Sequence, residues 1–487
     1  MPVQRADLQE LARKEMIANG FEPVFPPTVA AQLQSIAAHP PAVAPSADVR
    51  DLRSMLWSSI DNDTSRDLDQ IEVAEPLVGG AVRVLVGIAD VDAFVPVHSA
   101  IDAHAGIETT TVYAGVMNFP MLPDALSTGA SSLLEGADKL CIVIETIVSA
   151  DGVVQSGDVY RAIARNKARL TYNAVGAWLE SRGPAPPKVA ASTDLQAQLK
   201  LQSNAAQALR SARFKQGALD IDTIEVHPIV LNDQVVDLER QQTNQATELI
   251  EDFMIAANGA VARLLESKRV SSIRRIVRQP KRWDRIVELA ASLGTTLPAM
   301  PDSRALNEFL AARRSADPDR FPDLSLSVIK LMGPGEYVLE RPGDPDPGHF
   351  GLAVQDYTHS TAPNRRYADL VTQRLIKAVL GGRPAPYSDA ELATIATACT
   401  TKEDAARKVE RAMSKRIAAV AMSRRIGETF DAIVTGVTDR GTFVRILAPH
   451  VEGLLAQGKE GLDVGDRVRV KLVRTDVERG FVDFVRA

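Results

Sequence analysis

The sequence predicts an α+β protein, with a mixed α/β body between a short N-terminal helical module and a C-terminal β-barrel. Three observations predict it. Residues 49–160 carry alternating, β-branched runs broken by turns. From about residue 160 onward, helical spacing of apolar residues dominates. Residues 425–487 return to short alternating strands separated by Gly and Asp turns. A chain of 487 residues is too long for one ordinary core, and about three domains are expected. They are read as 1–48, 49–424 and 425–487.

The first element, ADLQELARKEMIAN at 6–19, has helical spacing and stops before Gly20. PPTVAAQLQSIAAH offers a second helix opened by proline, and PPAVAPS at 40–46 reads as a linker. The pair has a helix-turn-helix pattern. A plain helical extension is the alternative.

Strands follow in VRVLVGIADVDAFVPV and LCIVIETIVSADGVV, then helices in RAIARNKARLTYNAVGAWLESRG and TDLQAQLKLQSNAAQALRSARFK. A strand pair, LDIDTIEVHPIVLNDQVVDLE, precedes the helix TNQATELIEDFMIAANGAVARLLESK. The basic stretch from Lys268 to Arg285 includes Trp283. It reads either as a solvated face or as a path for phosphates. Five strands in the last segment suggest a small closed barrel, which removes open edges.

Composition excludes several classes. Hydrophobic content of 45 % and charged content of 24 % suit a soluble globular protein. No apolar run is long enough for a bilayer, and the N-terminus has no signal-peptide core. Two cysteines, Cys141 and Cys399, give no disulfide framework and no Cys-rich zinc site. A reducing cytoplasm is the expected location. A net charge of −6 does not advertise a nucleic-acid binder, unless the basic residues are segregated on one face. Walker A, GxGxxG and HExxH patterns are absent, so no nucleotide-driven motor is implied.

The segment SSIDNDTSRDLDQIE gathers Asp61, Asp63, Asp67, Asp69 and Glu72. Close carboxylates repel one another unless a cation offsets them, so a divalent metal is the first hypothesis. The spacing approaches that of an EF-hand calcium loop. Arg66 stands where that loop needs glycine, and strand-like runs flank it where helices should be. A solvated acidic turn is the plain alternative. A catalytic metal site is the preferred reading.

Further blocks support it. Ile60-Asp61, Asp67 and Asp69 resemble the active-site signature of the ribonuclease II and ribonuclease R family, the RNB domain. VLVGIADVDAFVPVHSAID, TTTVYAGVMNFPMLPDALS, NKARLTYNAVGAWLE and ELIEDFMIAAN resemble later blocks of that family, in order. HFGLAVQDYTHSTAPNRRYADLVTQRLIKAVL resembles its second signature, a Tyr followed by Ser/Thr-x-Pro-x-Arg and a helix. The C-terminal barrel resembles the OB-fold RNA-binding domain that closes these enzymes. The resemblance runs from about residue 50 to the end. Three features depart from it. Gln70 replaces the fourth aspartate, the region 268–285 lacks the usual Val-His, and a helical module stands where cold-shock domains usually do.

The resemblance implies a 3′→5′ hydrolytic exoribonuclease acting on single-stranded RNA with a free 3′ end, cytoplasmic and monomeric. Asp61, Asp67 and Asp69 would hold Mg²⁺ or Mn²⁺, with Asp69 the most rate-critical. Carboxylates plus waters are the ligands Mg²⁺ favours. Gln70 offers a carbonyl oxygen without charge, and Asp63 or a water would compensate. Arg365 would clamp the reacting phosphate and Arg366 would contact RNA, since guanidinium forks suit phosphate oxygens. An ion pair with Asp369 is the alternative for Arg365. Glu410 would lie near the scissile end. Tyr113 and Phe214 would clamp terminal bases, and Tyr172 and Glu251 would read the ribose. In the barrel, Phe430 and Phe443 would stack on RNA, and filling the barrel interior is the alternative for either. Arg467, Arg469 and Lys471 alternate along one strand and therefore share a face that can follow a phosphate backbone. The rival from another class is a degenerate RNB protein that binds RNA without cutting, motivated by Gln70.

Overall fold

A computed structural model describes residues 5–231, 234–241, 243–345 and 347–487. Its central element is a seven-stranded sheet. The spatial order is Val49–Asp51, Val154–Arg165, Asp138–Val148, Val82–Ala89, Gln70–Pro76, Ser58–Asp61 and Ala168–Thr171. The two outer pairings are parallel and the inner four antiparallel. Val82–Ala89, the run VRVLVGIA, is buried along nearly its whole length because it is central and covered on both faces.

Helices cover the sheet. Gln245–Ser267 packs on four of its strands. It opens with a capping box, in which the Asn244 side chain takes the backbone N–H groups of Ala246 and Thr247. Thr193–Gln216 is capped by Ser192 and ends at Gly217, whose φ of 101° is the left-handed stop that glycine adopts without strain. Tyr367–Leu380 is buried on almost every residue.

The barrel closes in the order Thr429–Thr438, Gly441–Leu447, His450–Gln457, Phe481–Arg486 and Arg467–Asp476. The 35-residue helix Asp389–Ser423 begins at a Ser388/Glu391 capping box and reaches the barrel strands. The expected strand pair forms as Glu225–Leu231 and Gln234–Gln241, with 232–233 outside the described residues.

The N-terminal helices are Arg5–Ala18 and Pro27–Ala38, and the first four residues of the expected 1–48 module lie outside the described residues. The first helix packs on Asp389–Ser423, burying Leu8, Ala12 and Met16 in the core shared with the barrel. The second packs on the helix Ala100–Glu108.

The basic stretch corrects one expectation. Ser272–Ile276 is a strand buried at every position. Arg274 is 1 % exposed and paired with Glu340, while Arg275 is bonded to Glu403 by two hydrogen bonds of 2.7 and 2.9 Å. Trp283 is buried in a separate helical core, its indole N–H donating to the Pro298 carbonyl. Neither a solvated face nor a phosphate path describes Arg274, Arg275 and Trp283, whereas Lys268, Arg269, Arg278, Lys281, Arg282 and Arg285 are exposed as a solvated face would have them. Arg274 and Arg275 are interior because long-range carboxylate partners reach them, which local sequence does not reveal.

Candidate active site

The strand Ser58–Asp61 runs antiparallel to Gln70–Pro76, so the loop joining them keeps Asp61 and Asp69 at one end of the sheet. No helix flanks this loop, which removes the EF-hand geometry. On the other side, Asp61 pairs in register with Thr171, and Tyr172 opens the next helix. Tyr172 therefore belongs to the same end of the sheet as the acidic loop.

A second loop, 360–366, meets the first. The Asn364 backbone N–H donates to Asp69 Oδ1 at 3.0 Å, and Arg365 Nε lies 3.5 Å from Asp69 Oδ2. The Arg365 carbonyl accepts from the Thr111 N–H, and the Tyr367 N–H donates to Thr109, so the segment 109–111 holds the arginine loop. Two residues on, Tyr113 is 41 % exposed, and its backbone N–H donates to Glu410 Oε1 at 3.1 Å. Tyr113, Arg365, Arg366 and Glu410 line one cavity of about 240 Å³ with Tyr337 and His359.

Electrostatically the site is unfinished. Asp69 is 2 % exposed and its carboxyl is pushed up to about 7, chiefly by burial, against the pull of Arg365. Burial raises Asp61 as well, and the charge of Asp67 adds to both shifts. Asp69 Oδ2 is buried without a hydrogen bond. A buried carboxylate oxygen without a donor is costly unless a cation reaches it.

The three aspartates are an all-oxygen donor set, which fits a hard divalent cation. Among the described residues no three His, Cys, Asp or Glu side chains converge into a ready-made cage, and Asp61, Asp67 and Asp69 are no exception. Mg²⁺ keeps several waters and needs only one or two carboxylates, so the arrangement suits it without such a cage. Gln70 opens its strand half-buried beside Asp69.

Two adjacent arginines separate. Arg366 caps the helix Tyr367–Leu380 and pairs with fully buried Asp369 at 2.7 Å. Arg365 is left facing Asp69, so the Asp369 pairing weighed for it goes to its neighbour.

The remaining residues lie elsewhere. Phe214 and Glu251 line a second cavity of about 400 Å³, apart from Tyr113. The Arg210 guanidinium sits 5.0 Å above the Phe214 ring and pairs with Glu251 at 3.5 Å. In the barrel, Arg467, Arg469 and Lys471 all point outward between buried valines and leucine. Phe443 is half-buried. Phe430 corrects its expectation. It is 7 % exposed and packs edge-on against Phe484, because its strand position faces the barrel interior.

Sequence reasoning missed Tyr337, His359 and Asn364. His359 is half-buried and bonded to the Tyr337 hydroxyl at 2.7 Å. Asn364 sat unremarked inside the quoted motif, because its contact to Asp69 is made by a backbone group.

An RNB domain is recognised over residues 49–382, and an RNase II-type exonuclease C-terminal S1 domain over 428–487. The chain is 31 % identical to ribonuclease R of Thermotoga maritima over 468 residues, covering 90 % of this chain and 64 % of the relative. It is 29 % identical to ribonuclease R of Escherichia coli over 498 residues, covering 95 % of this chain and 60 % of the relative. The fold superposes on Mycoplasma genitalium RNase R, solved with ribose-methylated single-stranded RNA, with a TM-score of 0.86 at 23 % identity. That match covers 99 % of this chain and 78 % of the other. The chain thus spans roughly six-tenths of the length of the curated relatives it matches. With an RNB domain over most of its length and an RNase II-type S1 domain at its end, the chain belongs to the RNB family.

Proposed function

We propose that the chain is a 3′→5′ hydrolytic exoribonuclease that releases nucleoside 5′-monophosphates from single-stranded RNA. The observation that carries this reading is Asp69, a buried carboxylate lacking a donor on Oδ2, facing Arg365 beside the cavity of Tyr113 and Glu410.

A divalent ion held by Asp61, Asp67 and Asp69 would supply an activated water and offset charge on the phosphate. The fit with waters and few carboxylates favours Mg²⁺, with Mn²⁺ able to replace it. Water attacks the last phosphate, and the 3′-oxygen of the neighbouring nucleotide leaves. Arg365 is exposed enough to meet the equatorial phosphate oxygens, where negative charge spreads in the transition state. Tyr113 offers its ring to the terminal base, a contact that tolerates any sequence. Glu410 fixes the Tyr113 backbone and borders the scissile end. Tyr172 follows Thr171, the register partner of Asp61, and is assigned to the ribose. Phe214 and Glu251 are assigned to RNA further from the reacting phosphate, in the second cavity. Arg366 holds the helix start beneath Arg365. Phe443, Arg467, Arg469 and Lys471 give the barrel its RNA face.

The working unit is a monomer in the cytoplasm, with 49–424 catalytic and 425–487 binding RNA, and with the helices Arg5–Ala18 and Pro27–Ala38 of the 1–48 module braced against the body. Among the described residues no helix is long and apolar enough to cross a membrane.

The test uses two single-stranded RNAs of one sequence, one with a free 3′ hydroxyl and one with a blocked 3′ end, followed by separation of the mononucleotides. Release of 5′-monophosphates from the free end alone supports the reading. Binding of both RNAs without release would overturn it in favour of a non-cutting RNA-binding protein.

A further inference from the structure

Behind the acidic loop, a group of buried hydroxyl and amide groups joins the two loops of the site. Ser132 is fully buried, accepts the Leu68 N–H on its Oγ at 3.0 Å and donates to the Arg66 carbonyl at 2.9 Å. The Leu133 N–H donates to the Leu68 carbonyl at 3.0 Å. The segment 66–69 is therefore fastened from below on both sides of Asp67. The preceding residue, Ser131, reaches the other loop. Its Oγ lies 2.6 Å from Asn364 Oδ1 and 2.8 Å from the Leu126 carbonyl. One hydroxyl proton serves these two acceptors in turn. Ser131 and Asn364 are 2 % and 1 % exposed, and the Asn364 backbone N–H is the donor on Asp69 Oδ1.

We propose that Ser131, Ser132 and Asn364 are positioning residues that hold the aspartate loop and the arginine loop in register. The proposal rests on the metal-dependent reading of the site given above. Two consecutive serines, each gripping a different loop, fix the separation of Asp67 and Asp69 from Arg365. The same arrangement occupies Asp69 Oδ1 and leaves Oδ2, which Arg365 Nε faces at 3.5 Å without a hydrogen bond, as the oxygen for the cation. Asp69 then binds through one oxygen. A ligand whose second oxygen is already bonded is held in a single orientation.

The test uses the full chain as Ser131→Ala, Asn364→Leu, the double variant, and Ser131→Thr, which keeps the hydroxyl. Mn²⁺ affinity is measured without RNA by electron paramagnetic resonance, alongside kcat and KM on single-stranded RNA. Second-layer changes of this kind typically weaken metal binding or rate by about 10-fold or more. The expected result is such a loss of Mn²⁺ affinity and kcat in each single variant, with KM unchanged. The double variant should be no worse than either single one, and Ser131→Thr should resemble the parent. If Asn364→Leu fails to fold, Ser131→Ala carries the same comparison. Folded variants with parental Mn²⁺ affinity and kcat would overturn the proposal. A parent that cuts no RNA while its Mn²⁺ affinity still depends on Ser131 and Asn364 would overturn the activity and uphold the positioning role.

Discussion

Arg365 and Asp69 face each other between two loops, Nε to Oδ2 at 3.5 Å, with the arginine 43 % exposed and the aspartate buried. The exposure lets the guanidinium turn toward a phosphate while still screening the carboxylate. Arg365→Ala is expected to lower the single-turnover cleavage rate by about 10²–10³-fold, the usual cost of removing one transition-state donor. RNA affinity should change much less. Arg365→Lys should recover little, because an ammonium cannot reproduce the planar fork. Rapid-quench kinetics with parallel binding isotherms check both statements.

Arg366 should behave differently from its neighbour. Its partner Asp369 is fully buried and also accepts the Ala362 N–H at 2.9 Å, while the Arg366 side chain is 22 % exposed. Removing one partner of a buried ion pair costs about 3–5 kcal/mol. Arg366→Met should therefore lower the urea unfolding midpoint markedly, whereas Arg365→Ala should leave it nearly unchanged.

Asp69→Asn should raise stability in EDTA. Burial already pushes this carboxyl up to about 7, so the charged form is disfavoured in the metal-free fold. A neutral amide of the same shape relieves that penalty. Thermal unfolding should show a higher midpoint for the variant in EDTA, and no further rise when Mn²⁺ is added. A parental midpoint shift with Mn²⁺ in the variant would contradict the assignment.

Acid should weaken the fold through two half-buried histidines. Burial, aided by Arg275, lowers His349 to about 4 and lowers His359 well below its usual value. Between about pH 6.5 and 4 the unfolded chain binds protons that the folded chain refuses, so stability falls as pH falls. His349→Asn keeps an acceptor for the Leu352 N–H and should flatten this slope in urea titrations.

The two barrel phenylalanines should separate by readout. Phe430→Ala opens a hole in the barrel core and should cost about 3 kcal/mol or more of stability. Phe443→Ala should weaken RNA binding with a smaller loss of stability. Arg469→Glu with Lys471→Glu should weaken binding of all sequences alike and flatten its salt dependence.

Much of this architecture could be read from the sequence, and the reasons are local. The strands show in period-two patterns such as VRVLVGIA, the long helices in their caps, and the barrel in its Gly and Asp turns. Asp61, Asp69 and Arg365 stand out by residue type together with the family resemblance, and the fold brings Asp69 and Arg365 together. What was not readable depends on distant partners. The arginines of Ser272–Ile276 look like a solvated face until Glu340 and Glu403 arrive from far along the chain. Phe430 and Phe443 look alike, and only strand pleating decides which one enters the barrel. Tyr113 and Phe214 were expected as one clamp, and the fold sets them in separate cavities. Asn364 acts on Asp69 through its backbone, which no side-chain pattern advertises.

The measurement that bears hardest on the whole reading is a time course on 5′-labelled single-stranded RNA with Mg²⁺. The controls are EDTA, the same sequence as DNA, and Asp69→Asn. A ladder that shortens from the 3′ end with the parent chain, and is lost in every control, is the predicted result. Full-length RNA that stays bound and uncut with Mg²⁺ present would contradict it, and would make Gln70 the next residue to change.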